Sequence, residues 1–192
     1  SRPLLSTAIK PMGHSSEELA DLAYRFALGG MDMIKDDHGL TDQSCSPFEE
    51  RVRLCAAAVN KASKETGRPS IYIANITAPH REVVRRARFA KAAGAGGIMA
   101  APGIIGFDLM RELADDDNIG LPILTHPALQ GSFVTGQGGM SHGVIFGQLA
   151  PAHRERLGLP DHGLAGAILK DGEGADRFVG PAAHVHAFVA DG

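Results

Sequence analysis

Six residues combine a reactive side chain with a telling position: Lys10, Lys35, Asp37, His38, Asn75 and His126. The densest group is Lys35-Asp36-Asp37-His38, an amine, two carboxylates and an imidazole in consecutive positions. Two readings of it are open. A lysine beside an aspartate can be a simple ion pair. The alternative is a site for a hard divalent cation such as Mg²⁺, which takes oxygen ligands. An ammonium group cannot ligate a metal, so Lys35 would enter such a site only as a carbamate formed with CO₂, an anionic oxygen donor. Along an extended chain, alternation sends Lys35 and Asp37 to one side and Asp36 to the other.

The elements that must position these residues recur along the chain. An apolar run over residues 4–9, closed by Lys10-Pro11, predicts a buried strand. Ser15 and Glu18 have capping-box spacing, and Leu19, Leu22, Ala23, Phe26 and Ala27 follow at helical period until Gly29-Gly30. A second strand over 31–34 runs into Lys35. Ser46-Pro47-Phe48-Glu49 supplies a cap, a first-turn proline and an acid at the third helical position. Val52, Cys55, Ala56 and Val59 then line the inner face of a helix that stops at Gly67. The cycle repeats with strands over 71–76, 97–101 and 122–125 and helices over 80–93, 107–114 and 141–150. The acidic run Asp115-Asp116-Asp117 reads as a solvated turn.

Strands and helices in strict alternation predict an α/β fold with a parallel sheet and right-handed crossovers. The continuous apolar runs fit strands buried on both faces. All six candidate residues then fall at or just past the C-terminal end of a strand, the face that carries active sites in parallel α/β folds. Beyond Ala150 the pattern changes. Residues 151–192 are rich in glycine and histidine, with strand character only over 183–190, so a boundary is placed near Ala150. His184 and His186 share a face of that strand and read as part of an irregular tail rather than as a metal pair.

Composition narrows the function classes. Apolar residues make up 44% of the 192 and charged residues 21%, ordinary globular values. A net charge of −3 gives no electrostatic reason to expect nucleic acid or an anionic membrane as partner. No apolar run is long enough for a bilayer span, and the N-terminus does not look like a signal peptide. The two cysteines, Cys45 and Cys55, have neither metal-ligand spacing nor the number for a disulfide framework, so a reducing cytoplasm is expected.

Ile9-Lys10-Pro11, Gly29-Gly30-Met31-Asp32 leading into Lys35-Asp36-Asp37, the strand holding Asn75, and His126-Pro127 resemble the catalytic domain of the RuBisCO large-subunit superfamily. The resemblance covers roughly residues 2–149 and is closer to the RuBisCO-like proteins than to true carboxylases. It implies a partial (β/α)8 TIM barrel, about five βα units followed by an unmatched tail. It implies a carbamylated Lys35 that binds Mg²⁺ with Asp37 and the residue at position 38. Lys10 becomes a catalytic acid/base group near the substrate carbonyl, Asn75 a further catalytic group, and His126 a contact to the sugar phosphate. A base role for Lys10 asks that burial and nearby cations bring its pKa from ~10.4 toward 7–8. The intact family member is expected to be a homodimer.

Three positions depart from the family. His38 stands where the second metal acid is expected, Met12 replaces the second lysine of a Lys-Pro-Lys motif, and Pro127 replaces an arginine. The expectation is therefore Mg²⁺-dependent enolisation of a phosphorylated ketose, of isomerase, enolase or lyase type, and not carboxylation of ribulose bisphosphate. The alternative expectation is a catalytically inactive, truncated fragment of such a protein. The family's mobile-loop lysine, its phosphate-binding strands and its N-terminal domain have no counterpart in the residues read here.

Overall fold

The computed structural model describes residues 3–10, 12–129, 131–132 and 138–139, together with the backbone at 169–170 and 176–177. The helix expected over 141–150, the strand over 183–190, His184, His186, Pro11 and the boundary near Ala150 lie outside the described residues.

Five strands, β1 (Ser6–Ile9), β2 (Met33–Asp36), β3 (Ile71–Asn75), β4 (Gly97–Ala100) and β5 (Ile123–Thr125), form one sheet in chain order. Every pairing is parallel. The crossovers carry α1 (Ser16–Leu28), α2 (Phe48–Thr66), α3 (His80–Ala92), and then α4 (Pro102–Ile105) with α5 (Phe107–Asp115). Further on, β6 (Leu169–Lys170) pairs antiparallel with β7 (Asp176–Arg177). Among the described residues the result is the expected parallel sheet of five strands, with helices in its four crossovers. Among the described residues no helix is long and apolar enough to cross a membrane.

Alternation divides the sheet into two faces. Ile9, Ile34, Tyr72, Ala74, Ile98 and Ala100 point toward the helices and join the main core with Leu19, Val52 and Val59. Met33, Ile73 and Met99 point the other way, into a smaller cluster with Leu4, Ile71 and Leu124. Full burial of each large apolar side chain is worth roughly 1.5–3 kcal/mol, so the two layers fix which face each strand residue presents.

Two local expectations change. The second strand begins at Met33, not Met31, because α1 finishes with a two-bond C-terminal motif. Gly30, at φ +94°, donates to the Ala27 carbonyl, and Met31 donates to that of Phe26. The cap of α2 also differs. Pro47 is the N-cap, and the Phe48 N–H donates to Asp42 Oδ1 at 2.8 Å. Ser46, the expected cap, instead meets the Ser16 hydroxyl at 2.9 Å in a buried contact between the starts of α1 and α2. The capping box at Ser15 and Glu18 and the left-handed Gly67 after α2 are as expected.

Candidate active site

Register brings the candidate residues to one end of the sheet. Lys35 lies beside Ala8 of β1 and Ile73 of β3, with Asp37 and His38 directly after β2. Lys10 follows β1, and His126 follows β5, where its N–H donates to the Ala100 carbonyl at 2.9 Å. Lys35, Asp37, His38 and His126 form one group.

Lys35 is half-buried, and its Nζ donates to the Asp36 carbonyl at 3.1 Å. Burial pushes its pKa down, Asp37 opposes this, and the nearby Lys10 adds to it. A depressed amine is the kind that reacts with CO₂, since only neutral nitrogen is nucleophilic. Lys10 itself is exposed, so the burial expected of it falls on Lys35 instead.

Asp37 has one oxygen committed and one in reserve. Its Oδ2 accepts the Gly39 N–H at 3.1 Å, while its Oδ1 is 3.6 Å from His38 Nδ1, too far for a hydrogen bond. The His38 ring stacks on that of His126, with centroids 4.7 Å apart and planes 27° from parallel. His126 Nδ1 accepts the Ala128 N–H at 3.1 Å. That bond places the ring proton on Nε2, which makes the other nitrogen a hydrogen-bond donor. Burial, with His38 and Lys35 nearby, lowers the His126 pKa to about 4 against the pull of Asp37. His126 is thus a neutral donor at pH 7.

Asn75 arrives at the same end but underneath it. The side chain is fully buried, and Nδ2 donates to the carbonyls of Asp37 (3.3 Å), His38 (3.0 Å) and Leu40 (3.1 Å). Its amide is spent on the loop that carries Asp37 and His38.

On the opposite face of β2 lies a network that the motif reading did not single out. Asp36 is buried; its Oδ1 accepts from the Tyr72 hydroxyl at 2.6 Å, and its Oδ2 from the Asn75 N–H at 3.0 Å and Arg51 Nε at 3.4 Å. Burial pushes the Asp36 carboxyl up, and Arg51, Tyr72 and Asn75 act in the other direction. Arg51 also donates to the carbonyls of Ser46, Thr41 and Leu40. A signal was available, since Arg51 shares the inner face of α2 with Cys55 and Val59, at steps of four.

The donor set decides what cation could be held. Among the described residues no three His, Cys, Asp or Glu side chains form a metal-binding group. Asp37 and His38 therefore suffice only with Lys35 as a third donor, in carbamate form. With that change the set fits a divalent cation.

Most of the chain is similar to known proteins. The family described as ribulose bisphosphate carboxylase large chain, catalytic domain, matches residues 1–177 and so passes Ala150 into the stretch expected to be unmatched. A 2,3-diketo-5-methylthiopentyl-1-phosphate enolase of Bacillus licheniformis is 36% identical over 150 residues, which cover 77% of this chain and 37% of that protein. The crystal structure of a RuBisCO-like protein from Alicyclobacillus acidocaldarius matches with a TM-score of 0.72 at 32% identity, over 79% of this chain and 39% of that one. A dimeric archaeal RuBisCO from Hyperthermus butylicus matches with a TM-score of 0.67 at 32% identity, over 72% and 33%. The chain spans between about a third and two-fifths of the length of these relatives.

Proposed function

This chain belongs to the family of RuBisCO large-chain catalytic domains, and from that membership we propose that its sheet end supplies the metal-and-base part of a site that enolises a phosphorylated ketose. The observation that carries the proposal is the grouping on one face of a half-buried Lys35, a carboxylate oxygen of Asp37 with no hydrogen bond among the described residues, and a neutral His126. Lys35, once its Nζ has added to the carbon of CO₂ and released one proton, would hold Mg²⁺ together with Asp37 and His38. Lewis-acid polarisation of a carbonyl is the chemistry that cation supplies when bound. Lys10, exposed in the free chain, would take the proton from the neighbouring carbon once bound substrate covers it and disfavours its charged form, a role typically worth 10²–10⁴-fold. His126 donates from Nε2 to a phosphate or hydroxyl oxygen and so orients the substrate without adding charge.

The enol product is common to isomerase, enolase and lyase outcomes. Carboxylation of ribulose bisphosphate is disfavoured because Met12, 56% exposed at the mouth, and Pro127 stand where cationic groups would be needed. The intact protein is proposed to work as a homodimer, in line with the dimeric archaeal relative.

The test is proton exchange at the carbon next to the carbonyl, followed by NMR in D₂O with 2,3-diketo-5-methylthiopentyl-1-phosphate as probe. Exchange should require Mg²⁺ and bicarbonate and disappear in Lys10→Ala. Undiminished exchange in that variant would remove Lys10 from the mechanism, and fixation of labelled CO₂ onto ribulose bisphosphate would overturn the substrate class.

A further inference from the structure

The loop between β2 and α2 carries both side-chain donors proposed for the cation, and it has to hold them at the sheet end. Internal bonds give it shape: Gly39 N–H to Asp37 Oδ2, Leu40 N–H to the Asp37 carbonyl, and Thr41 N–H to Gln43 Oε1. Those bonds do not fix where the loop sits. Arg51 grips its far part, at the carbonyls of residues 40, 41 and 46. At the near part, the carbonyls of Asp37 and His38 both accept from Asn75.

We propose that Asn75 is the positioning residue of this site, setting the placement of Asp37 and His38 relative to His126. The proposal rests on the reading of Asp37 and His38 as cation ligands. Three observations argue it. First, the amide orientation is determined: Oδ1 accepts the Thr77 N–H at 3.1 Å, which turns Nδ2 toward the loop. Second, Nδ2 has two protons for three carbonyls at 3.0–3.3 Å, so the loop backbone converges on one atom. Third, the bonds continue toward His126. Thr77 Oγ1 accepts the Ala101 N–H at 3.2 Å, and the Ala101 carbonyl accepts from Ile104 and Ile105 in α4. Gly103 in that turn lies against the Ala128 carbonyl, where an added Cβ would come within 2.4 Å. The Ala128 N–H in turn holds His126 Nδ1. One path of hydrogen bonds and close packing thus runs from the ligand loop through β3 and β4 to the ring after β5, and Asn75 is its first member.

The test uses the whole chain and three variants: Asn75→Ala, Asn75→Ser in case the first does not fold, and Val59→Ala as a control that opens a cavity in the helix-side core. Thermal unfolding establishes that each is folded. Hydrogen exchange of the Gly39 amide, bonded to Asp37 Oδ2, reports the carboxylate without any metal, and Mn²⁺ binding by electron paramagnetic resonance reports the ligands. In the Asn75 variants Gly39 exchange should rise and Mn²⁺ affinity fall, each about tenfold, the size expected for loss of a hydrogen bond of ordinary worth. Exchange of the Ile98 amide, bonded to the Pro122 carbonyl, should not change, and Val59→Ala should leave the Gly39 and Mn²⁺ readouts alone. Gly39 exchange within twofold of the unaltered chain in a folded Asn75 variant would overturn the proposal. So would equal changes in Val59→Ala, since the effect would then be general loosening. If the unaltered chain binds no Mn²⁺ with bicarbonate present, the cation reading fails, and Gly39 exchange still decides the role of Asn75.

Discussion

On the helix side of β2, Asp36 has both oxygens engaged, by Tyr72, Arg51 and the Asn75 backbone, with no exposure to solvent. One residue further, on the other side, Asp37 uses one oxygen to shape its own loop and leaves the other 3.6 Å from an exposed imidazole. Two identical side chains in consecutive positions are thus bonded in opposite ways. A buried ionic group whose bonds are all made stabilises only by staying intact, and removing one partner strands the other. A group with spare bonding capacity beside a half-buried amine is poised for something that is not part of the fold. Saturation of polar groups separates scaffold from site here better than residue type does.

The sharpest way to break the contrast is to remove charges from each side. Asp36→Ala or Arg51→Ala should cost about 3–5 kcal/mol of unfolding free energy, the range for a buried pair deprived of one member. Lys35→Ala should stay within about 1 kcal/mol, as for substitutions away from such features. Urea denaturation of the three variants measures this, and a Lys35→Ala cost equal to that of Asp36→Ala would erase the distinction.

Asp37→Ala should leave the melting temperature nearly unchanged and weaken Mg²⁺ binding at least tenfold, about 1.4 kcal/mol. Calorimetric titration should also show tighter binding with bicarbonate than without. Equal affinity in both conditions would remove the carbamate, and full affinity in Asp37→Ala would remove the site.

His38→Glu carries a smaller expected effect, a few-fold gain in Mg²⁺ affinity, because a carboxylate is the harder donor. If His38 serves only to stack on His126, the same titration will show no change.

A last contrast concerns pH. His126 has a folded-state pKa of about 4, below the ~6.5 of an unfolded histidine. Between those values the unfolded chain binds the additional proton, so the stability that His126 contributes is present above pH ~6.5 and is lost as pH falls toward 4. His126→Asn, which keeps an acceptor for the Ala128 N–H, should lose less unfolding free energy than the unaltered chain as pH is lowered over that interval. Parallel slopes in urea denaturation would mean that His126 protonates in the folded state as readily as in the unfolded one.

The features legible in the sequence share a physical cause. The five strands and the faces of α1 and α2 follow from apolar periodicity, and period-two alternation alone separated Lys35 and Asp37 from Asp36. Placement of the candidate residues at strand ends followed from the same pattern. What escaped depends on the path of the chain in space. Asn75 was expected among catalytic groups because it ends a strand; its actual partners are carbonyls at positions 37, 38 and 40, which only the fold of that loop brings to it. Asp42 displaced Ser46 at the start of α2 because Ser46 was drawn to the Ser16 hydroxyl, a contact between helices that no local pattern encodes. Burial fell on Lys35 and not Lys10, since Lys10 lies beyond the end of β1 while Lys35 is still inside β2.

The Asn75 clasp also has a consequence in time. Its bonds to Asp37, His38 and Leu40 span 38, 37 and 35 positions of chain. At the ordinary pace of synthesis, roughly 5–20 residues per second, the ribosome makes the loop about 2–8 seconds before it makes the residue that seats it. For that interval the nascent chain carries Asp37 and His38 on a segment with β1 beside it and β3 not yet made. The bonds that seat Asp37 and His38 therefore have to wait for the third strand.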